Sequence, residues 1–382
     1  MEKLIAELHD IIREYRSEDG DFMNESIVRE WVEQFDEIDH EFIVREMIHI
    51  LSKRYITRPA FKEYLRTTFF KDTVEVLKRD FNSTDIKDIF VRTLFINEQP
   101  EGKSQKAVIG ILEEVLSEEL GLKLSDCGKG EPACCIYLDD ILCTGDTIFK
   151  ALAAKDGWLS KNTLHPDKSN RTFLEEKNIP LFIVFHSIHK RNVKKLMSRI
   201  KYAHQDHKLK IWWFYQDDHE IDNNIGDIQS SMDFLYPCED TDSNELIMAC
   251  KKQIEEKITK YCIDNNYVIP KSNFYRSNNL PVDEKLFSSP ENRNRFEKVI
   301  LTKSIELYNK ANSSELRMRP LGYGLYTDIN FGFGTLLFSW RNIPFNTPLV
   351  FWYEHKGWQP LFKRKFSTYK KTLEQILKSL GI

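Results

Sequence analysis

The stretch Cys135–Thr147, CIYLDDILCTGDT, constrains this chain more than any other part of it. An apolar run delivers two adjacent carboxylates, Asp139 and Asp140, to its end. A short loop of Cys143, Thr144, Gly145 and Asp146 then enters a helix at about Thr147. That order fits a buried strand whose carboxyl end meets a ligand, as in open α/β sheets. The following helix start offers free N–H groups to an anion. Gly145 permits close backbone approach, and Thr144 and Thr147 add hydroxyls. Two neighbouring carboxylates suit the 2′- and 3′-hydroxyls of a ribose, or the water shell of Mg²⁺. A surface turn carrying two solvated acids is the plainer alternative.

The surroundings supply the sheet. Apolar runs predict strands at 89–96, 134–138, 179–185 and 209–215. Helical periodicity falls between them, around Val108–Leu116, after Thr147, and over the basic segment from His189 to about Tyr202. Strands alternating with helices imply a parallel sheet. Before residue 86 the pattern is helical: Leu4–Ile12, a helix capped by Asn24, another over 41–53, and a fourth opened by Arg58-Pro59. Beyond 236, helices are expected around Ile247–Ile258 and 294–310, and strands over 331–338 and 347–352. The expected organisation is a helical module at 1–85, an α/β core at 86–235 and a cap or sheet extension at 236–382. His186, His189, Asp217 and Asp218 fall at the same sheet edge as the acid pair, as candidates for acid–base or metal support or as structural residues.

The segment 135–147 resembles the phosphoribosyl-pyrophosphate motif of type I phosphoribosyltransferases: an apolar strand, two acids, two apolar residues and a Thr-Gly loop. Tyr137 and Cys143 depart from its usual small apolar and Ser/Thr/Ala types. The resemblance implies catalytic roles for Asp139 and Asp140, which would also hold Mg²⁺ indirectly. It implies ribose-phosphate binding by these two acids with Cys143, Thr144, Gly145, Asp146 and Thr147. In that family a loop after the first core strand holds pyrophosphate, and the matching stretch here offers Gly102, Lys103 and Ser104. Those three are also similar to the end of a P-loop, but Asn97 stands where its first glycine is required, which argues against a nucleoside triphosphatase. A helix N-cap at Ser104 remains the simpler alternative.

Further resemblance lies in the flanks. Trp31–Phe35, Arg58–Phe70, Phe331–Gly334, Asn346–Trp352 and Trp358–Phe362 are similar to segments of the PRTase-CE group, phosphoribosyltransferase-like proteins of bacterial conflict and antiviral defence systems. Asn342–Thr347 keeps part of that group's Thr-Pro-Asn-Asn-Thr region. The resemblance implies a type I phosphoribosyltransferase-like α/β core and a Mg-dependent site for phosphoribosyl pyrophosphate or another ribose phosphate. It further implies a toxic effector acting on nucleotides or nucleic acid, with the reverse transcriptase and DNA–RNA hybrid of a retron as partners. A non-catalytic nucleotide sensor and a nucleoside or nucleic-acid glycosidase are the alternatives.

Composition narrows the remaining classes. Of 382 residues 41% are apolar and 12% aromatic, enough ring area for large buried cores. No apolar run approaches a membrane span, and the first residues do not read as a signal peptide, so a cytoplasmic protein is expected. The seven cysteines lack CxxC spacing, which favours free thiols over a zinc site at Cys127, Cys134 and Cys135. A net charge of −4 hides an acidic first fifty residues and a basic stretch after 355, including Lys363, Arg364 and Lys365. That asymmetry admits charge-guided contact with another subunit or a nucleic acid, or a merely solvated helix face.

Overall fold

The computed structural model describes residues 1–20, 23–81, 85–203, 208–215, 220–221, 231–239, 244–326 and 328–364. In chain order the elements are α1 (Glu2–Ile12), α2 (Glu25–Val32), α3 (His40–Arg54), β1 (Tyr55–Ile56), α4 (Arg58–Tyr64), α5 (Phe70–Phe81) and α6 (Ile86–Val91). Next come β2 (Thr93–Ile96), α7 (Ser104–Leu120), β3 (Cys134–Leu142), α8 (Asp146–Ile148), α9 (Asn170–Lys177), β4 (Leu181–His189) and α10 (Lys190–Ala203). The last are β5 (Ile211–Phe214), β6 (Glu220–Ile221), α11 (Glu245–Asp264), α12 (Pro290–Ala311), β7 (Phe338–Ser339) and α13 (Leu349–Trp352). No helix among the described residues is long and apolar enough to cross a membrane.

The chain divides into two compact units, one of residues 58–222 and one of 1–57 with 223–382. The boundaries expected at 85/86 and 235/236 therefore move. The first three helices form no module of their own, because Ile5, Leu8, Val28, Trp31 and Met47 share one buried core with Ile254, Phe296, Phe351 and Phe362. Trp31 Nε1 donates to the Val350 carbonyl at 3.0 Å. In the same unit β1 pairs in parallel with β7. Two strands were expected over 331–338 and 347–352. Only Phe338–Ser339 is extended into a ladder, and Leu349–Trp352 is a helical turn entered from Pro348. Gly332 and Gly334 have φ of 118° and 58°, and each lies where a Cβ would strike a backbone carbonyl, of Gly322 and Leu235 respectively. The Phe-Gly repeat thus serves close chain crossing and not strand pairing. Arg364 donates to the Ile343 carbonyl and lies 3.6 Å from the Phe345 ring centre, so this member of the basic stretch is a packed residue. Lys365 and the residues after it lie outside the described residues.

The 58–222 unit is built on a parallel sheet of order β2-β3-β4-β5, with β6 also on β4. Ile188 of β4 pairs with both Leu142 and Glu220, so β6 continues the β5 edge. The strand expected at 89–96 is half helix. Asp85 accepts from the Lys87 N–H and caps α6, which buries Ile89 and sets Phe90 against Phe70, ring centres 4.6 Å apart. A short apolar run does not by itself tell a buried helical turn from a strand. β3 and β4 run four residues further than expected, so the acid pair and both histidines lie within strands.

Candidate functional site

Asp139 and Asp140 sit in β3, with Asp139 opposite Phe185 of β4, and both are almost fully buried, 4% and 2% exposed. Their surroundings are built largely from the loop after β2. Gln105, wholly buried in the first turn of α7, accepts from the N–H of Glu98 at 3.1 Å and of Gln99 at 2.9 Å. Its amide donates to the carbonyls of Ile96 and Leu138, both at 3.3 Å, which staples the loop to two strands. Gln99 is thereby held over the acids. Its amide donates to Asp139 Oδ2 and to the Tyr137 hydroxyl, the latter at 2.6 Å. Tyr137 precedes Asp139 by two residues and so shares its face of the strand. The Tyr137 hydroxyl lies 3.4 Å from the same carboxylate oxygen. Asp139 Oδ1 accepts from the Ser104 hydroxyl and the Asp140 N–H, both at 3.0 Å. Asp140 Oδ1 accepts from the Ile141 N–H at 2.8 Å.

Burial, and then the charge of Asp140, hold the Asp139 carboxyl well above the usual carboxylate range. Burial raises Asp140 as well. Two carboxyls this close in a dry site do not both ionise readily, and the pair titrates as one unit. Such a pair gains from a partner that donates hydrogen bonds or brings positive charge.

The loop 143–147 is pinned from outside by one face of α10. Asn192 donates to the Cys143 carbonyl at 2.7 Å, Leu196 packs against Gly145, and Arg199 donates to Asp146. These three stand at i, i+4 and i+7. Gly145 has φ +77°, and a Cβ there would lie 3.1 Å from Leu196 Cβ. Its freedom from a side chain is thus used by the turn and the helix contact, where phosphate approach was the expected reason. The expected helix from Thr147 is one turn, Asp146–Ile148, that continues as a π-helical turn, Phe149–Ala153. Thr144 is half-buried and Thr147 exposed.

Other candidates fall out differently. Ser104 is not the cap of α7; Lys103 holds that position, and Ser104 turns its hydroxyl to Asp139. Gly102 and Lys103 are exposed, on the same loop as Gln99. Asn97 and Glu98 of that loop line an open cleft of about 350 Å³ with Gly128, Trp158 and Thr163. His186 is buried between Phe61 and Tyr64 with Nδ1 2.9 Å from Ser187 Oγ. Burial pulls His189 down to about 3, so it is neutral at physiological pH. Cys134 and Cys135 are buried thiols, and no cluster of three metal-binding side chains occurs among the described residues. Asp217 and Asp218 lie outside the described residues. Sequence reasoning missed Gln99, Gln105 and Asn192. The departure at Tyr137 from the motif's small residues was the one available signal, and its hydroxyl is part of the network.

No curated protein and no solved structure matches the chain. The family model described as PRTase-CE matches residues 28–364, which takes in the acid pair, the Gln99 loop and most of both units. By that match the chain, with its parallel phosphoribosyltransferase-like core, belongs to the PRTase-CE family.

Proposed function

We propose that the protein binds phosphoribosyl pyrophosphate or a related ribose phosphate through Asp139 and Asp140, and transfers the ribosyl group as an effector in antiviral defence. The observation that carries this reading is the buried acid pair in β3, joined to a loop that α10 holds fixed. Ribose hydroxyls donate to carboxylates, as Gln99 and Ser104 do to Asp139, so a bound sugar replaces these donors when the Gln99 loop moves aside. The donor set, two carboxylates and the Ser104 hydroxyl, fits a Mg²⁺ ion that keeps several waters and takes its other oxygens from the ligand. When bound, that ion neutralises pyrophosphate charge. The chain's own part is to orient the ribose and stabilise positive charge that develops at its anomeric carbon. A nucleotide-sensing role without turnover is the second reading, favoured by acids that are closed off at rest.

Calorimetric titration with phosphoribosyl pyrophosphate and Mg²⁺ tests the site. Asp140→Asn is expected to weaken binding about tenfold to a hundredfold, as loss of a charge-assisted contact does. Equal affinity in the variant refutes the assignment. Pyrophosphate release that needs an acceptor marks a transferase, release without one a hydrolase, and saturable binding without release a sensor.

A further inference from the structure

The sequence of α10, KRNVKKLMSRIKYA, carries six basic residues and no acid in a chain whose net charge is −4. Its inner face is spoken for by Asn192, Leu196 and Ile200, all buried. At 100° per residue, Lys190, Arg191, Lys194, Lys195, Ser198, Lys201 and Tyr202 fall on the opposite face. Lys190 leans on Glu220, Nζ to Oε1 2.9 Å, and Arg199 on Asp146. Among the described residues Lys194 and Lys201 have no ion-pair partner. Lys190 and Lys194, and Arg191 and Lys195, stand at i and i+4, about 6 Å apart along the axis, and Lys201 follows Lys194 at i+7, about 10 Å on. Tyr202 is 77% exposed at the far end of this face.

We propose that this outer face binds a single-stranded polynucleotide, and that the strand so held supplies the acceptor for the site pinned under the same helix; the second half rests on the ribose-phosphate reading above. A row of lysines tracks a phosphodiester backbone, and an exposed ring offers a stacking face to an unpaired base. An unpaired base turns toward a site carried by the loop 143–147 without the unpairing cost that a duplex imposes. An acidic polypeptide matches the lysines and leaves Tyr202 without a use.

Fluorescence anisotropy with labelled oligothymidylate and oligouridylate tests the surface, with a duplex of equal length and polyglutamate as competitors. Wild-type protein binds the single strands with strong salt dependence. Lys194→Glu with Lys201→Glu lowers affinity roughly tenfold or more, and the slope of log K against log salt falls by about 1.4, two phosphate contacts at 0.7 each. An unchanged melting temperature shows that the variant keeps its fold. Asp139→Asn keeps oligonucleotide binding. Identical binding by the lysine variant, no binding by wild type, or competition by polyglutamate or duplex as strong as by the single strand overturns the proposal. Single-strand binding without ribose-phosphate binding leaves the surface standing and removes the proposed function. Ribose-phosphate binding without single-strand binding does the reverse.

Discussion

Replacing Asp139 with Asn removes one charge from the buried pair and leaves its shape unchanged. The new carbonyl still accepts from Ser104 and the Asp140 N–H. The new amide faces Gln99, whose own amide rotates so that its oxygen accepts from both the new amide and Tyr137. The packing is thus preserved, and the cost of holding a carboxylate in a dry site next to another is lost. Folding raises the proton affinity of Asp139, so the folded state binds more protons than the unfolded chain. Stability present below the ordinary carboxylate value is therefore lost as pH rises through the raised folded value. Across that window the wild type loses about 1.4 kcal/mol per pH unit for each extra proton held, and the variant is spared the share due to Asp139. For a domain of this size that is roughly 3–6 °C in melting temperature per pH unit. Melting curves of both proteins from pH 4 to 8 read this directly. The variant is expected to melt close to wild type at the acid end and progressively above it toward neutrality, while its ribose-phosphate binding is lost. Parallel curves, or a variant less stable throughout, refute the claim that the pair carries unfavourable charge.

Gly145→Val forces a side chain onto Leu196 at a positive φ, and denaturant unfolding is expected to show a loss of about 2–4 kcal/mol, partly relieved by adding Leu196→Ala. Gln99→Ala removes a donor that ribose hydroxyls must displace, so titration is expected to show roughly fivefold tighter binding. Glu297→Ala takes the carboxylate from buried Arg276, while Arg293 keeps Glu284, and is expected to cost about 3–5 kcal/mol by denaturant unfolding.

The parallel core was legible because β3 and β4 open on continuous apolar runs, 134–138 and 181–185, with helical spacing between them, a pattern that two-sided burial imposes. The acid pair was legible because charge seldom follows such a run without a use. The bounds of the units were not, since Trp31 stacks on Phe351 and Tyr15 meets Phe362, each more than three hundred residues away, and such partners leave no local trace. Gln99 and Gln105 escaped for a related reason. A polar residue in a polar loop becomes informative only once the strand whose carbonyls it satisfies is in place. The Phe-Gly repeat near 331 was read as strand because its aromatics favour one, whereas the glycines answer to a neighbouring backbone that periodicity does not see.

The 58–222 unit interrupts the other, and this bears on the protein while it is being made. When α1 to α3 leave the ribosome they can cover one another only in part, because the core they share extends to residues not yet made. Their partners in α11, α12 and α13 follow only after the whole intervening unit, roughly ten to thirty seconds later at common synthesis rates. During that interval the uncovered remainder of these helices is exposed apolar surface, open to aggregation. The unit that carries the acid pair is meanwhile synthesised in full. A ribosome halted near residue 230 would thus release a chain with a complete acid site and an orphaned, aggregation-prone helical segment ahead of it.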